Sequence, residues 1–306
     1  MPWPIVTPFR MRPNLEKLDP VAPALLLRDE LADVYRRERE RVIAAHRERA
    51  MVGSADIETL SAIIGLTPSP AARERVGVRA VTGTFQDNSA IQSAPTPTLP
   101  RWGREQIVAL AIQEDFVILK QDNDTLRTEY LSVCFPSRWD PREKLGLDFA
   151  AIHAPVADNQ TLIAAGQSIM AMAFMKQPML RHVWLLVPAA SLDQHPEKNQ
   201  AWWSEELADP APLLPRLFFR IERQTTWPLP HLQRAVFFIR LMMSPLVDVL
   251  RILSPVRPER SEGSDNHTSR AAELAASLRS MTPAIVAYRG MTDALPRLLT
   301  ELDTHA

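Results

Sequence analysis

Cysteine is almost absent from this chain: Cys134 is the single one in 306 residues. No internal disulfide can form, and a cysteine-ligated zinc site or an iron–sulfur cluster cannot be held by this chain alone. Glycine is scarce as well, with nine residues, none of them arranged as G-x-G-x-x-G or as a phosphate-cradling loop. No G-x-S-x-G elbow of an α/β-hydrolase is present. The seven histidines never pair at H-x-H or H-x-x-x-H spacing, so a local zinc or non-haem iron clamp finds no support. An excess of either charge is missing too. With 35 basic and 36 acidic residues the net charge is −1, which gives no reason to expect nucleic acid as a partner. No uncharged apolar run is long enough to span a bilayer. The start Met1-Pro2-Trp3-Pro4 lacks the basic and then apolar character of a secretory signal. A cytoplasmic enzyme or binding protein, without membrane or nucleic-acid partner, is the expectation.

The remaining composition is that of a globular protein, 46% hydrophobic and 23% charged. Residues 1–28 are proline-rich and read as extended over the surface. A helical pattern covers 29–50, with Leu31, Val34, Tyr35, Val42 and Ile43 near one face and mixed charges on the other. A second helix follows Ser54-Ala55-Asp56, with Ser54 as its cap, and ends at Gly65. The stretch 66–103, with five prolines, reads as a long surface connection within one domain spanning 1–306. Strands are expected at 115–121, 129–135, 181–188, 216–226 and 234–242, with a helix at 158–176. Pro228 and Pro230 suit a loop between the last two strands. Helices at 244–254, 269–280 and 291–303 finish the chain, the first two separated by a polar loop at 255–266. Helices, then strands, then helices argue an α+β fold with a central antiparallel sheet and helices at both ends.

The excluded chemistries narrow a redox role to a cofactor held by few protein ligands, and haem is one that a single imidazole can hold. Two segments carry a specific resemblance. One runs from Gln113-Glu114-Asp115-Phe116 through Phe135-Pro136-Ser137-Arg138-Trp139 and Glu143-Lys144-Leu145-Gly146 to Ile152-His153-Ala154-Pro155-Val156. The other is Glu222-Arg223-Gln224-Thr225, followed by Val236 to Arg240; a weaker third is Tyr288-Arg289-Gly290. Together they resemble the haem-dependent oxidative N-demethylase family. The resemblance implies a PAS-like sheet that binds haem b, and oxygen-dependent removal of a methyl group from a small secondary amine with release of formaldehyde. It also implies a separate flavin and iron–sulfur reductase component. The alternative is a non-catalytic PAS-like haem or small-ligand sensor, because fold does not fix function.

Within that resemblance His153 is the expected axial ligand of the iron, although Pro155 argues against helix just before it and a loop histidine is more often structural. Arg220, Arg223 or Arg240 is expected on the haem propionates, where a planar guanidinium matches a carboxylate; an Arg–Glu pair fixing the strands is the alternative. Arg220, Glu222 and Gln224 share one strand face, opposite Phe219, Ile221 and Arg223. Phe135, Trp139, Trp184, Phe237 and Phe238 read as core, Asp140 as a helix cap, and Cys134 as a buried inert thiol. Because no nucleotide fingerprint is present, the purified chain is expected not to oxidise a nicotinamide cofactor by itself. Its steady consumption in an absorbance assay without a reductase would contradict this.

Overall fold

A computed structural model describes residues 2–11, 14–19, 21, 24–67, 101–123, 125–198, 203–252 and 269–305. Most of the connection at 66–103 and all of the loop at 255–266 lie outside the described residues. Seven strands form one sheet: β1 (Glu16–Lys17), β2 (Met51–Gly53), β3 (Asp115–Asp122), β4 (Thr125–Ser132), β5 (Met179–Val187), β6 (Phe218–Leu229) and β7 (Arg234–Pro245). Their order is β1-β5-β6-β7-β3-β4-β2, and every pairing is antiparallel. The α+β class with a central antiparallel sheet is therefore the architecture observed. The short edge strands β1 and β2 carry too little periodicity to be read in advance.

Alternation along each strand sends successive side chains to opposite faces. One face carries Phe116, Ile118, Tyr130, Val236 and Phe238 into a core with α1 (Ala32–Ala50), α2 (Ile57–Gly65) and α3 (Arg101–Ala111). Further along that face Trp184, Phe219 and Ile221 meet the C-terminal helices α9 (Arg270–Arg279), α10 (Pro283–Tyr288) and α11 (Leu295–Asp303). The N-terminal segment is extended as expected, yet it is anchored rather than superficial: Ile5, Phe9 and Leu25 are buried in these cores. On the opposite face Val117, Leu119 and Leu131 meet Met170, Ala173 and Phe174. Those last residues belong to the excursion between β4 and β5, with α4 (Phe149–His153), α5 (Gln160–Ala164), α6 (Gly166–Ile169) and a π-helical turn at Met170–Lys176. Two shorter helices, α7 (Trp203–Ala208) and α8 (Leu246–Leu250), flank β6 and β7 in sequence. Among the described residues no helix is long and apolar enough to cross a membrane.

Several local readings are corrected. Helix α2 is capped by Asp56, whose carboxylate accepts from Thr59 N at 2.9 Å; it sits directly before the first helical residue, where Ser54 does not. The helix expected over 158–176 is instead α5, α6 and the π-helical turn. Strand β6 runs through Pro228, which pairs in register with Ala235. Beyond Thr225 the neighbour β5 has ended, so Pro228 stands where β6 is an edge strand and proline is tolerated. The last strand reaches Pro245, which shortens the following helix to α8, and α10 begins on Pro283 behind a Thr282 cap.

The tie between helices and sheet is a buried ion pair. Arg39 of α1 donates to Asp115 of β3 at 2.6 Å, and Arg39 is fully buried. Asp115 also accepts from Cys134 N at 3.0 Å and Phe135 N at 2.9 Å, so one carboxylate joins α1, β3 and the end of β4. Replacing Asp115 by alanine strands a buried guanidinium and two amides, and is expected to cost about 3–5 kcal/mol in urea unfolding. Removing the exposed Arg36–Glu40 pair by Arg36→Ala is expected to cost less than about 0.5 kcal/mol. Equal costs for the two would remove Asp115 from its role.

Candidate active site

Between the sheet and the β4–β5 excursion lies a cavity of about 830 Å³, within the size range of small-molecule and cofactor sites. Val117, Leu131, Val183, Phe237 and Ile239 form its floor from four strands, and Phe149, Met170 and Phe174 form its roof. The segment Ala287–Met291, which spans the end of α10, closes one side. Trp139 and Phe237, read as core, line this space, whereas Phe135, Trp184 and Phe238 are buried away from it.

His153 lines the cavity, the one histidine among the described residues to do so. It ends the short helix α4, whose Asp148 cap accepts from Ala151 N at 2.9 Å. The residue before Pro155, Ala154, keeps helical angles despite the usual bias, because the Asp148 cap and the Asn159 amide bonds to His153 O and Ala154 O hold the turn. His153 Nδ1 lies 2.8 Å from Phe149 O, which makes Nδ1 the protonated nitrogen and Nε2 the lone-pair nitrogen. Nε2 has no hydrogen-bond partner among the described residues. The Phe149 ring packs beside the imidazole with centroids 4.1 Å apart. Gly166 makes room for that ring, since a methyl group there would lie 3.0 Å from Phe149 Cδ1. Burial pushes the His153 pKa down to about 4, only partly opposed by the Phe149 carbonyl.

The three arginines expected at the propionates are elsewhere. Arg220 is fully buried behind the cavity wall and donates to Ser137 Oγ at 2.9 Å, Phe135 O at 2.9 Å and Leu192 O at 3.0 Å. Arg223 points to the other sheet face and donates to Ala24 O and Leu25 O. Arg240 shares that face, pairs with Asp29 at 2.7 Å and lies over the Tyr35 ring at 4.2 Å. None of the three lines the cavity, because strand parity or the turn at 135–138 turns their donors to protein acceptors.

Three other arginines line it, Arg138, Arg181 and Arg289. Arg181 of β5 sits opposite Gln224 in register and donates Nε to its Oε1 at 2.6 Å, while neither Nη has a hydrogen-bond partner. Arg289 stacks over Phe9 and Trp184 at 4.6 and 4.7 Å, and its Nη1 is buried with no hydrogen bond. Burial lowers the pKa of both, to about 10 for Arg289. Neither pairs with an acid among the described residues. The Tyr288-Arg289-Gly290 motif pointed toward Arg289. Arg181 carried no signal of its own, since its neighbour across the strands is fixed only by register. Glu222 and Gln224 also line the cavity, as the alternation along β6 anticipated. Cys134 is a fully buried thiol whose pKa burial pushes up to about 12.

Residues 97–299 match a family model described as haem-dependent oxidative N-demethylase, alpha subunit-like. The chain belongs to that family. No curated protein matches it. The family description carries haem dependence and oxidative N-demethylation, and it likens the members to an alpha subunit. Among the described residues no three His, Cys, Asp or Glu side chains gather to hold an ion. A metal at His153 would therefore bring most of its ligands with it, as an iron porphyrin does.

A neutral His153 is a prerequisite for coordination. Protonation is favoured in the unfolded chain near the ordinary value of 6.5 and in the folded one only near 4. The stabilisation from keeping His153 neutral is thus complete above about 6.5 and lost as pH falls toward 4. An NMR titration of the haem-free protein is expected to place His153 at about 4, and a midpoint above 6 would contradict its burial.

Proposed function

We propose that this chain is a haem b oxygenase that demethylates a small secondary amine, releasing formaldehyde and drawing electrons from a separate flavin and iron–sulfur reductase. The observation that carries the proposal is His153: a neutral imidazole facing a cavity, with Nδ1 donated to a backbone carbonyl and Nε2 left without a partner. The bond to Phe149 O fixes tautomer and ring orientation in the way metal-binding histidines require. Arg181 and Arg289 supply the second half of the fit. Two half-buried guanidiniums that touch no acid face the cavity, and the two carboxylates of a haem would pair with them. The apolar floor and roof suit a porphyrin face. Cys134 is buried and alone, so the haem would be held without thioether bonds.

Bound haem would supply the iron that binds dioxygen and the oxidising power needed at a methyl C–H bond. The chain's own residues hold and orient. His153 would provide the nitrogen that holds the iron, Arg181 and Arg289 would hold the haem carboxylates, and Val183, Phe237 and Ile239 would form a dry floor for the substrate methyl groups. The reaction balances as dimethylamine, dioxygen, two electrons and two protons giving methylamine, formaldehyde and water. The electrons come from the reductase. We take residues 1–306 to act as one PAS-like unit, since Phe9 of the N-terminal segment meets Trp184 edge to face and lies under Arg289.

Visible spectra of haem-reconstituted protein test the proposal. His153→Ala is expected to lose the histidine-ligated spectrum or the cofactor itself. Variants of His182, in β5, and His231, on the β6–β7 turn, are expected to keep it. Arg181→Met is expected to weaken haem retention by roughly tenfold while leaving thermal stability equal or higher, because it removes an unpaired buried charge. Formaldehyde release from dimethylamine with a chemical electron donor separates the oxygenase from a haem sensor. An unchanged spectrum in the His153 variant would overturn the ligand assignment.

A further inference from the structure

We infer that Glu222 is a cation subsite, the carboxylate that seats the nitrogen of a small protonated amine on the cavity wall. Glu222 lines the cavity at 9% exposure, in the middle of the sheet. Its surroundings dictate what its oxygens do. Arg220 Nε donates to Ser137 Oγ at 2.9 Å, so the single Ser137 proton is left to point at Glu222 Oε1. Arg181 Nε donates to Gln224 Oε1 at 2.6 Å, which orients the Gln224 amide so that its NH₂ donates to Glu222 Oε2 at 2.7 Å. Both oxygens are therefore acceptors, each with a further lone pair to offer.

The two donors are neutral, and among the described residues no cationic side chain forms an ion pair with Glu222. Its counter-charges, Arg220 and Arg181, act on it only from a distance, so neither guanidinium occupies its oxygens. Strand register could have placed Arg181 or Arg220 directly on it; each is instead held one neutral side chain away. The other acids on the wall differ, since Asp140 is bound by Arg142 and Glu143 is exposed at the rim. Here the inference rests on the proposed function, because haem carboxylates on Arg181 and Arg289 would leave Glu222 as a buried wall acid that no cation touches. The occupant it fits is a small alkylammonium ion: one N–H to the carboxylate, with methyl groups against Val183, Phe237 and Ile239. Neutral or anionic molecules of the same shape gain nothing there.

Calorimetric titration of the haem-loaded protein with dimethylammonium chloride and with dimethyl ether, its neutral isostere, tests this. The wild-type chain is expected to bind the ammonium ion at least tenfold more tightly than the ether. Glu222→Gln should raise the ammonium Kd by roughly ten- to hundredfold and abolish the preference, with the haem spectrum unchanged. Glu222→Asp, which keeps the charge, should retain the preference at reduced affinity. Equal ammonium affinity in wild type and Glu222→Gln overturns the inference and leaves the haem proposal standing. The wild-type comparison of ammonium with ether decides the matter even where the glutamine variant fails to fold. Loss of haem by the wild-type chain strikes the proposed function instead. The same titration on protein as purified then still reads Glu222, with equal or absent binding of both molecules counting against it.

Discussion

A guanidinium cut off from water sits where β6 meets the turn at residues 135–138, and much of the cavity wall hangs on it. Arg220 cannot remain buried unless its donors are met, and the acceptors it finds are backbone carbonyls at Phe135 and Leu192 together with Ser137 Oγ. Those contacts fasten the end of β4 and the loop after β5 to the central strand. Arg138 follows in a left-handed conformation, φ 64°, and its backbone N donates to Gln194 O at 3.0 Å. The chain then leaves the sheet to build the roof that carries His153. Burial lowers the Arg220 pKa to about 10, with Glu222 opposing the shift, so the cation is retained at the cost of strict satisfaction.

The buried arginines divide by whether the protein itself answers them. Arg39 has Asp115, and Arg240 has Asp29 and the Tyr35 ring. Arg181 and Arg289 touch no acid, and Glu222 acts on Arg181 only from beyond Gln224. An unpaired buried charge lowers stability, and natural chains keep such groups chiefly where a ligand completes them. This asymmetry separates framework from site more clearly than position along the chain does, since Arg220 and Arg223 fall within the same stretch of strand as Glu222.

The fold class was legible because strong alternation in 115–121, 216–226 and 234–242 marks strands, and charged helical faces mark 29–50. Edge strands of two and three residues left no such trace. Pro228 misled, since proline argues against a ladder only where both neighbours are present. His153 was legible through the Ile-His-Ala-Pro-Val run, but its helical setting was not. That depends on a cap and an asparagine bond outside the tetrapeptide. Of the arginines, the structure places Arg181 and Arg289 on the cavity wall and Arg220, Arg223 and Arg240 away from it.

Composition and local order by themselves determined that this chain closes no disulfide within itself, holds no cysteine-bound cluster alone and carries no G-x-G-x-x-G loop. They also determined the alternating elements and the family motif, because both are written in residues close together in the chain. Tertiary structure alone decided which charges meet. Arg181 reaches Gln224 across strands, Arg220 reaches Ser137 across the sheet, and Arg289 returns from the far end of the chain to the cavity. Register and face set those encounters, and a slip of one residue in either would send the same side chains to opposite sides of the sheet.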